Sequence, residues 1–176
     1  MEDKALLSTE EASGAEKAEL LIVIPAYNEA ENIERVVNHL TANFPQYDYV
    51  VVNDGSRDET AAICQRNGYN LLNLPVNLGL AGAFQAGLKY ADKYGYQYAV
   101  QLDGDGQHRP EYLEAMMKKM EEGYDIVIGS RFVGEKKPFT MRMLGSNLIE
   151  MAIRFTTGVN IKDPTSGMRM FSKRMI

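Results

Sequence analysis

The sequence predicts an α/β fold in which helices cover both faces of a mostly parallel sheet. Apolar runs of strand length alternate with stretches of helical apolar periodicity from residue 20 to residue 129. The spacing leaves room for a helix between successive strands, which is the connection that parallel strands need. The 176 residues are 45% hydrophobic and 24% charged, a balance typical of one globular domain with a substantial core.

The predicted elements follow one another in regular order. Strands are expected at 20–25, 47–53, 70–74, 96–103 and 125–129. The first helix is expected after Asn28, which with Glu31 fits a capping box. The second helix is expected after Ser56, because Ser56-Arg57-Asp58-Glu59 also fits a capping box, and this helix should reach about residue 67. Two more are expected at 80–94, where glycines permit close packing, and from Pro110 to 122. The buried stripe of the first helix comprises Ile33, Val36, Val37 and Leu40.

Residues 1–19 differ from the rest of the chain. They are rich in Glu, Ala and Ser, and they have no sustained apolar periodicity. We therefore expect a mobile acidic tail at 1–19 and one folded domain at 20–176.

Two carboxylates, Asp103 and Asp105, lie two residues apart directly after the fourth predicted strand. Glycines beside them remove side-chain bulk from the turn, so both carboxylates can approach one point. Hard oxygen ligands at a strand end suit a Mg²⁺ or Mn²⁺ ion that carries a diphosphate. An ordinary acidic turn is the alternative that these residues alone leave open. With His108 as the only nearby histidine and no cysteine close in sequence, the segment does not fit a zinc site.

Polar side chains also follow the first two strands. Tyr27 and Glu29 offer a flat wall and an acid, which a nucleoside needs, and Asp54 can accept hydrogen bonds from a base or ribose. For Tyr27 and Glu29 the alternative is a plain strand-to-helix connection, and for Asp54 it is a capping turn. Ligands bind beyond the carboxyl ends of strands in parallel sheets, so we expect Asp54 and Asp103 to meet there.

Three later segments are candidates for anion contacts. Residues 77–83 are rich in Gly and Ala but lack the Lys-Ser/Thr of a phosphate-binding P-loop, so helix packing and donor contact both stay open. Arg131 follows the fifth strand, and residues 163–169 are predicted to form a tight turn containing Asp163 and Arg169. Each arginine fits either a bidentate phosphate contact or a structural ion pair.

The charge distribution fits either an anionic partner for the last third of the chain, such as phosphate or a lipid surface, or ordinary scatter of surface charge. The net charge is −5, yet residues 129–176 hold nine basic and three acidic side chains. Lys136, Lys137 and Arg142 precede an amphipathic stretch at 143–155, which fits either a lipid-facing helix or a helix packed on the domain's own core. One cysteine, Cys64, indicates a reducing compartment. We expect no nucleic-acid partner.

The motifs taken together resemble those of family 2 glycosyltransferases, which have the GT-A fold, a Rossmann-like three-layer sandwich. The nearest resemblance is to the branch of dolichyl-phosphate mannose synthases and polyprenyl-phosphate glycosyltransferases, and it covers about residues 20–171. The motifs occur in this order: Ile-Pro-Ala-Tyr-Asn-Glu, Asn-Asp-Gly-Ser, Asn-x-Gly, Asp-Gly-Asp-Gly-Gln, Gly-Ser-Arg and Asp-Pro-Thr-Ser-Gly-Met-Arg.

The resemblance implies a role for each matching residue. The nucleotide would be held by Pro25, Tyr27, Glu29, Asp54 and Asp103. The metal, Mg²⁺ or Mn²⁺, would be bound by Asp105 with Asp103 and Gln107 assisting. The catalytic and phosphate-contacting residues would be Asp163, Arg131 and Arg169.

The resemblance also implies a reaction, namely inverting transfer of a sugar from a UDP- or GDP-linked donor. The acceptor would be a polyprenyl phosphate or a cell-envelope glycan, and the protein would be cytoplasmic with peripheral contact at the inner face of the membrane. The chain stops a few residues after Arg169, where relatives continue, so we expect a C-terminally shortened domain. A non-catalytic nucleotide-binding fragment and a sugar nucleotidyltransferase are the competing hypotheses.

Overall fold

The computed structural model describes residues 18–104, 109–129, 151, 154–156, 158 and 167–176. Within this part of the chain, six strands form one sheet in the order β3-β2-β1-β4-β6-β5. The first four strands pair in parallel, whereas β6 pairs antiparallel with β4 and β5. The predicted α/β class with a mostly parallel sheet is confirmed. The strands are β1 Leu20–Ala26, β2 Asp48–Asn53, β3 Leu71–Asn73, β4 Tyr98–Gln101, β5 Ile126–Ile128 and β6 Arg169–Ser172.

Helices lie between the strands on both faces of the sheet. A short 3₁₀ helix at Pro110–Tyr112 leads into the last described helix before β5, so Pro110 occupies the first helical turn as its fixed φ angle favours. The helices are α1 Ile33–Asn43, α2 Thr60–Arg66, α3 Gly79–Lys93 and α4 Leu113–Glu121.

Strand β1 is the centre of two hydrophobic cores, and every residue in it is buried. Leu20, Ile22 and Ile24 pack on the side of α1, α2 and α4. Leu21 and Val23 point to the other side and pack with the residues of α3. Both faces are covered, so the strand has the continuous apolar sequence expected of a central parallel strand. Each fully buried Leu or Val contributes about 1.5–3 kcal/mol relative to an exposed side chain.

Helix α1 confirms its predicted stripe, because Ile33, Val36, Val37 and Leu40 are buried. The expected capping role of Asn28 is wrong. The helix begins at Ile33, and Asn28 lies four residues before the N-cap with a left-handed φ of 56°. A short polar side chain tolerates that conformation, which suits a turn rather than a helix cap.

The predicted capping box at residues 56–59 is also wrong. Helix α2 begins at Thr60, and its N-cap residue, Glu59, makes no side-chain capping hydrogen bond. The Ser56 hydroxyl instead accepts a hydrogen bond from the Asn28 amide at 3.0 Å. Asn28 and Ser56 do accept hydrogen bonds from backbone amides, as capping residues would, but those amides belong to the neighbouring loop and not to a helix.

Helix α3 approaches the sheet through small residues, as its sequence predicts. Ala83, Gly87 and Ala91 are its buried positions and recur every four residues. A Cβ atom at Gly87 would lie 2.2 Å from Val23 Cγ1, so only glycine permits this distance between α3 and β1.

Strand β6 was not predicted. The tight turn expected at residues 163–169 is therefore wrong at its last residue, Arg169. Arg169 is the first residue of this strand, and its Cα partner on β5 is Ile128. Local sequence does not reveal this strand, because its partners β4 and β5 lie some 40 to 70 residues earlier. Asp163 and residues 164–166 lie outside the described residues.

Of the amphipathic stretch at 143–155, only Met151, Arg154 and Phe155 are described, and all three are helical. Met151 is 68% exposed and Phe155 is 92% exposed. These two apolar side chains are therefore not packed on the core. In the described part of the chain, no helix has both the length and the apolar composition needed to cross a membrane.

Candidate functional site

A cleft of about 210 Å³ opens at the carboxyl ends of β1, β2 and β4, beside the first turns of α3. Strand β1 lies between β2 and β4, and the chain crosses over to opposite sides of it, so this is the switch point where parallel sheets bind ligands. All five residues expected to hold a nucleotide lie together in the cleft. Its lining comprises Pro25, Ala26, Tyr27, Glu29, Asp54, Leu80, Ala83, Asp103 and Gly104.

Asp54 provides a buried carboxylate to the cleft and is only 2% exposed. Its Oδ1 atom accepts a hydrogen bond of 2.7 Å from the Leu78 amide, and its carbonyl accepts one of 3.1 Å from Asn77 Nδ2. Among the described residues, none donates to Oδ2. A buried acceptor without a donor is costly, so this oxygen is suited to a donor group on a ligand.

Gly55 brings two turns of the site together. It has a φ of +66°, and a Cβ atom there would lie 2.7 Å from the Asn77 nitrogen and 2.8 Å from the Val76 carbonyl carbon. The turn after β2 therefore lies directly against the segment that precedes α3. This close approach places the Leu78 amide within reach of Asp54.

Tyr27 and Glu29 form the wall supplied by the loop after β1. Tyr27 is 42% exposed, which leaves much of its ring open to the cleft and solvent. Glu29 Oε2 accepts a 2.9 Å hydrogen bond from Asn32 Nδ2, so the carboxylate is held in place by the residue before α1. The pair offers an aromatic surface and an oriented acid, which together suit a nucleoside.

Asp103 lies two residues after β4 and is half-buried. Gln101 Nε2 donates a 2.9 Å hydrogen bond to Asp103 Oδ1. Gly104 packs against β1, because a Cβ atom there would be 3.1 Å from the Pro25 carbonyl oxygen. The end of β4 is thus held beside the end of β1, with a carboxylate at the cleft.

The donor chemistry at this position fits a hard divalent cation, because Asp103 presents carboxylate oxygens to the cleft. Asp105 and Gln107, the other expected metal ligands, lie outside the described residues. Within the part that the structure describes, no three His, Cys, Asp or Glu side chains cluster as a metal site. The described chain therefore contributes one expected metal ligand.

Arg169 does not line this cleft. It lines a second cavity of about 440 Å³ between α3 and β6, which shares Leu80 with the first. Phe84 and Phe171 meet in that cavity with ring centroids 5.6 Å apart. The cavity is thus largely apolar, with a guanidinium and Gln101 among its lining residues. Arg131 and Asp163 lie outside the described residues.

Sequence reasoning missed several residues that build the site. The contact of the Leu78 amide with Asp54 involves a backbone group, which no side-chain pattern reveals. The segment 77–83 had two open interpretations: Ala83 packs in the core, as helix packing predicts, and Leu80 and Ala83 line the cleft, while donor contact stays a prediction. Asp58 was assigned only to a capping box and Thr60 was not singled out, yet both bond to the loop after β1.

Comparison with known proteins identifies the class. The family model for glycosyl transferase family 2 matches residues 21–176, and the chain belongs to this family. The resemblance inferred from the motifs is confirmed, including its branch, and the nucleotidyltransferase alternative is not favoured.

The similar curated proteins include enzymes whose names contain polyprenol or undecaprenyl phosphate. Polyprenol monophosphomannose synthase of Mycolicibacterium smegmatis is 33% identical over 165 residues, which are 89% of this chain and 62% of that protein. Undecaprenyl-phosphate mannosyltransferase of Micrococcus luteus is 32% identical over 160 residues, covering 86% of this chain and 65% of that protein. The chain thus spans slightly less than two thirds of the length of these relatives.

The similar solved structures confirm the GT-A fold. Glucosyl-3-phosphoglycerate synthase of Mycobacterium tuberculosis, in complex with Mn²⁺, UDP and glucosyl-3-phosphoglycerate, has a TM-score of 0.66 and 20% identity. The match covers 88% of this chain and 57% of that one. The same enzyme with Mn²⁺, UDP-glucose and phosphoglyceric acid has a TM-score of 0.69.

Proposed function

We propose that this chain carries the donor site of an inverting, divalent-metal-dependent glycosyltransferase whose acceptor is a polyprenyl phosphate or a cell-envelope glycan. The buried carboxylate of Asp54 is the observation that carries the proposal. Its Oδ2 atom lacks a donor among the described residues and belongs to a cleft at the switch point of the sheet. A nucleotide base provides the N–H group that this oxygen requires.

The donor is a nucleoside diphosphate sugar, linked through UDP or GDP. Both bases present an N–H group for Asp54, and the ring of Tyr27 offers a flat surface beside them. Glu29 and Asp103 line the same cleft and have acceptor oxygens for ribose hydroxyls. Pro25 lines the same cleft near the end of β1, and its carbonyl oxygen would lie 3.1 Å from a Cβ atom at Gly104.

Asp103, Asp105 and Gln107 would hold a Mg²⁺ or Mn²⁺ ion. When bound, the ion neutralises charge on the diphosphate that leaves the sugar. The donor set of oxygen atoms supports this assignment, since hard divalent cations prefer oxygen ligands. The structurally similar glucosyl-3-phosphoglycerate synthase binds Mn²⁺ together with UDP, which supports the same pairing in this chain.

The acceptor is proposed to approach through the cavity between α3 and β6. An apolar lining with Arg169 suits a lipid that carries a phosphate, because the guanidinium pairs with the anion and the aromatic side chains pack against hydrocarbon. Arg131 is proposed as a second phosphate contact. The names of the similar mannosyltransferases, which specify polyprenol and undecaprenyl phosphate, support this acceptor class.

Sugar transfer with inversion forms one bond and breaks one. The acceptor oxygen attacks the anomeric carbon from the face opposite the diphosphate, and the electrons of the broken carbon–oxygen bond stay on the diphosphate. For a hydroxyl acceptor, Asp163 takes the proton as general base. A phosphate acceptor is already an anion, so Asp163 then orients it instead.

The proposed location is the cytoplasmic face of the membrane, with contact through the stretch at 143–155. Met151 and Phe155 support this location because both apolar side chains are exposed. An amphipathic helix preceded by basic residues binds an anionic lipid surface at the headgroup level.

Calorimetric titration with UDP and with GDP, each with and without Mn²⁺, tests the donor and metal assignments. We expect one nucleotide to bind more tightly when Mn²⁺ is present, and Asp105→Ala to remove that enhancement. Asp92→Ala is the matched control, because Asp92 is an exposed acid of α3 that does not line the cleft. Equal enhancement by Mn²⁺ in Asp105→Ala and in the wild type would contradict the metal assignment.

A further inference from the structure

Two loops that line the cleft are tied together by side chains of the first loop, of the turn before α2 and of the first residue of α2. One loop follows β1 and carries Tyr27 and Glu29, and the other follows β2 and carries Asp54. Four hydrogen bonds join them, each between a side chain and a backbone amide. They are Asn28 N to Ser56 Oγ at 3.0 Å, Arg57 N to Asn28 Oδ1 at 2.9 Å, Glu29 N to Thr60 Oγ1 at 2.9 Å and Ala30 N to Asp58 Oδ2 at 3.1 Å.

Asp58 uses its two carboxylate oxygens for different purposes. Oδ1 accepts hydrogen bonds from the Thr60 amide, at 3.0 Å, and from the Thr60 hydroxyl, and these bonds shape the local turn. Oδ2 reaches across to the Ala30 amide on the other loop. One carboxylate therefore couples the start of α2 to the loop after β1.

Thr60 completes the connection from a buried position. Its side chain is 0% exposed, and its hydroxyl donates to Asp58 while accepting from the Glu29 amide. The hydroxyl is thus oriented by Asp58, with its lone pair directed at the adjacent loop. A valine at this position has nearly the same shape but leaves the Glu29 amide without this acceptor.

Asn28 gives a second reason to regard the two loops as one unit. Its left-handed φ of 56° is uncommon for residues other than glycine, and such conformations persist where surrounding contacts hold them. Here the contacts are the Ser56 hydroxyl and the Arg57 amide on the neighbouring loop. The conformation directs the chain so that Tyr27 and Glu29, on either side of it, both line the cleft.

We infer that Asp58 and Thr60 are positioning residues of the donor site: they hold the loop of Tyr27 and Glu29 opposite Asp54 and thereby set nucleotide affinity without touching the nucleotide. The inference rests on the proposed function, because it concerns affinity for that donor. Neither Asp58 nor Thr60 lines the cleft. A wall that is ordered before binding saves the cost of ordering it during binding, so loss of the inter-loop bonds weakens affinity.

Thr60→Val and Thr60→Ser form the first test pair. Thr60→Val removes the acceptor for the Glu29 amide, and we expect about tenfold weaker binding of UDP or GDP in the presence of Mn²⁺, because the loop must then be ordered during binding. Thr60→Ser keeps the hydroxyl and should bind within about twofold of the wild type. Amide hydrogen exchange of Glu29 should accelerate in the valine variant and stay slow in the serine variant.

Asp58→Asn and Glu59→Gln form the second pair. Asparagine retains one acceptor oxygen for Thr60, but its amide group faces the Ala30 N–H as a second donor. Asp58→Asn should therefore weaken nucleotide binding and accelerate exchange at Ala30. Glu59→Gln is the matched control, since Glu59 is the adjacent exposed acid and pairs with Arg66 on its own helix.

The outcomes separate this inference from the proposed function. Wild-type affinity and unchanged amide exchange in both Thr60→Val and Asp58→Asn would overturn the positioning role. Weaker binding with faster exchange at Glu29 and Ala30 supports it. A wild-type chain that binds neither UDP nor GDP would refute the donor assignment, and amide exchange would then decide alone whether Asp58 and Thr60 hold the loop.

Discussion

At the scale of single residues, the positions that sequence reasoning identified best are those at the ends of strands. Pro25, Tyr27, Asp54 and Asp103 could be expected in one place, because the carboxyl ends of parallel strands meet at one edge of the sheet. Their hydrogen-bond partners could not be expected. Asn28 and Ser56 look like helix caps in sequence, yet they bond to each other across 28 residues.

Gly55 provides a test of the contact between the two turns of the site. Gly55→Ala combines a positive φ with a Cβ that meets the backbone of Val76 and Asn77, so we expect a loss of about 1–3 kcal/mol in unfolding free energy. Nucleotide affinity should fall as well, because Asp54 shifts with the turn. Urea denaturation and calorimetry measure the two effects.

Gly68→Ala is the control for Gly55→Ala. Gly68 has a φ of +65°, nearly the same as that of Gly55, but nothing lies within 4 Å of a Cβ built there. It should lose only about 1 kcal/mol, the cost of the conformation. Equal losses in the two variants would show that the close approach of Gly55 to Val76 and Asn77 has no energetic weight.

The Asp58 carboxylate makes stability depend on pH in the acid range. Burial raises its pKa, but hydrogen bonds from the Thr60 hydroxyl and amide and from the Ala30 amide outweigh burial and hold the pKa below the ordinary 3.8. The folded state therefore binds a proton less readily than the unfolded chain. The stabilisation is present above pH 3.8 and is lost as the pH falls through the lowered folded-state pKa.

Asp58→Asn tests this pH dependence. The wild type should be more stable than the variant at pH 7, and the difference should shrink as the pH falls below about 4. Urea denaturation midpoints at a series of pH values measure the difference. A constant difference from pH 7 to pH 3 would mean that the charge of Asp58 does not contribute.

At the scale of elements, periodicity predicted what depends on local sequence and missed what depends on distant pairing. The buried stripe of α1 and the burial of β1 follow from residues within one element, so both could be read from the chain. Strand β6 could not, because its pairing with β4 and β5 requires the chain to return between them. Arg169 was consequently placed in a turn rather than at the start of a strand.

The packing of α3 on β1 gives a prediction at this scale. Gly87→Ala places a methyl group 2.2 Å from Val23 Cγ1, and we expect the overpacking to cost about 1–3 kcal/mol in unfolding free energy. The double variant Gly87→Ala with Val23→Ala should lose less than the sum of the two single losses, because the smaller side chain makes room. Strictly additive losses would contradict direct packing of these two residues.

At the scale of the whole molecule, the order of strands decides where the site lies. Strand β1 has β2 on one side and β4 on the other, so the loops after all three meet over one cleft. The connections between these strands contain the helices that form two cores, one on each face of the sheet. The fold thus brings three separate sequence motifs together at one cleft.

The proposed donor is a nucleotide sugar, and the binding role of Asp54 is the step on which that proposal depends. Asp54→Asn changes little in shape and retains an acceptor for the Leu78 amide, but it replaces the open oxygen with an amide group. A donor in the ligand would then face a donor in the protein. The exposed Asp92→Asn variant controls for the loss of one negative charge.

Calorimetric titration of wild type, Asp54→Asn and Asp92→Asn with UDP and GDP in the presence of Mn²⁺ measures this role directly. We predict saturable binding of one nucleotide by the wild type and by Asp92→Asn, and binding at least about tenfold weaker by Asp54→Asn, the cost of unpairing a hydrogen bond to a buried charged group. Equal affinity in Asp54→Asn and the wild type would contradict the placement of the nucleotide in this cleft.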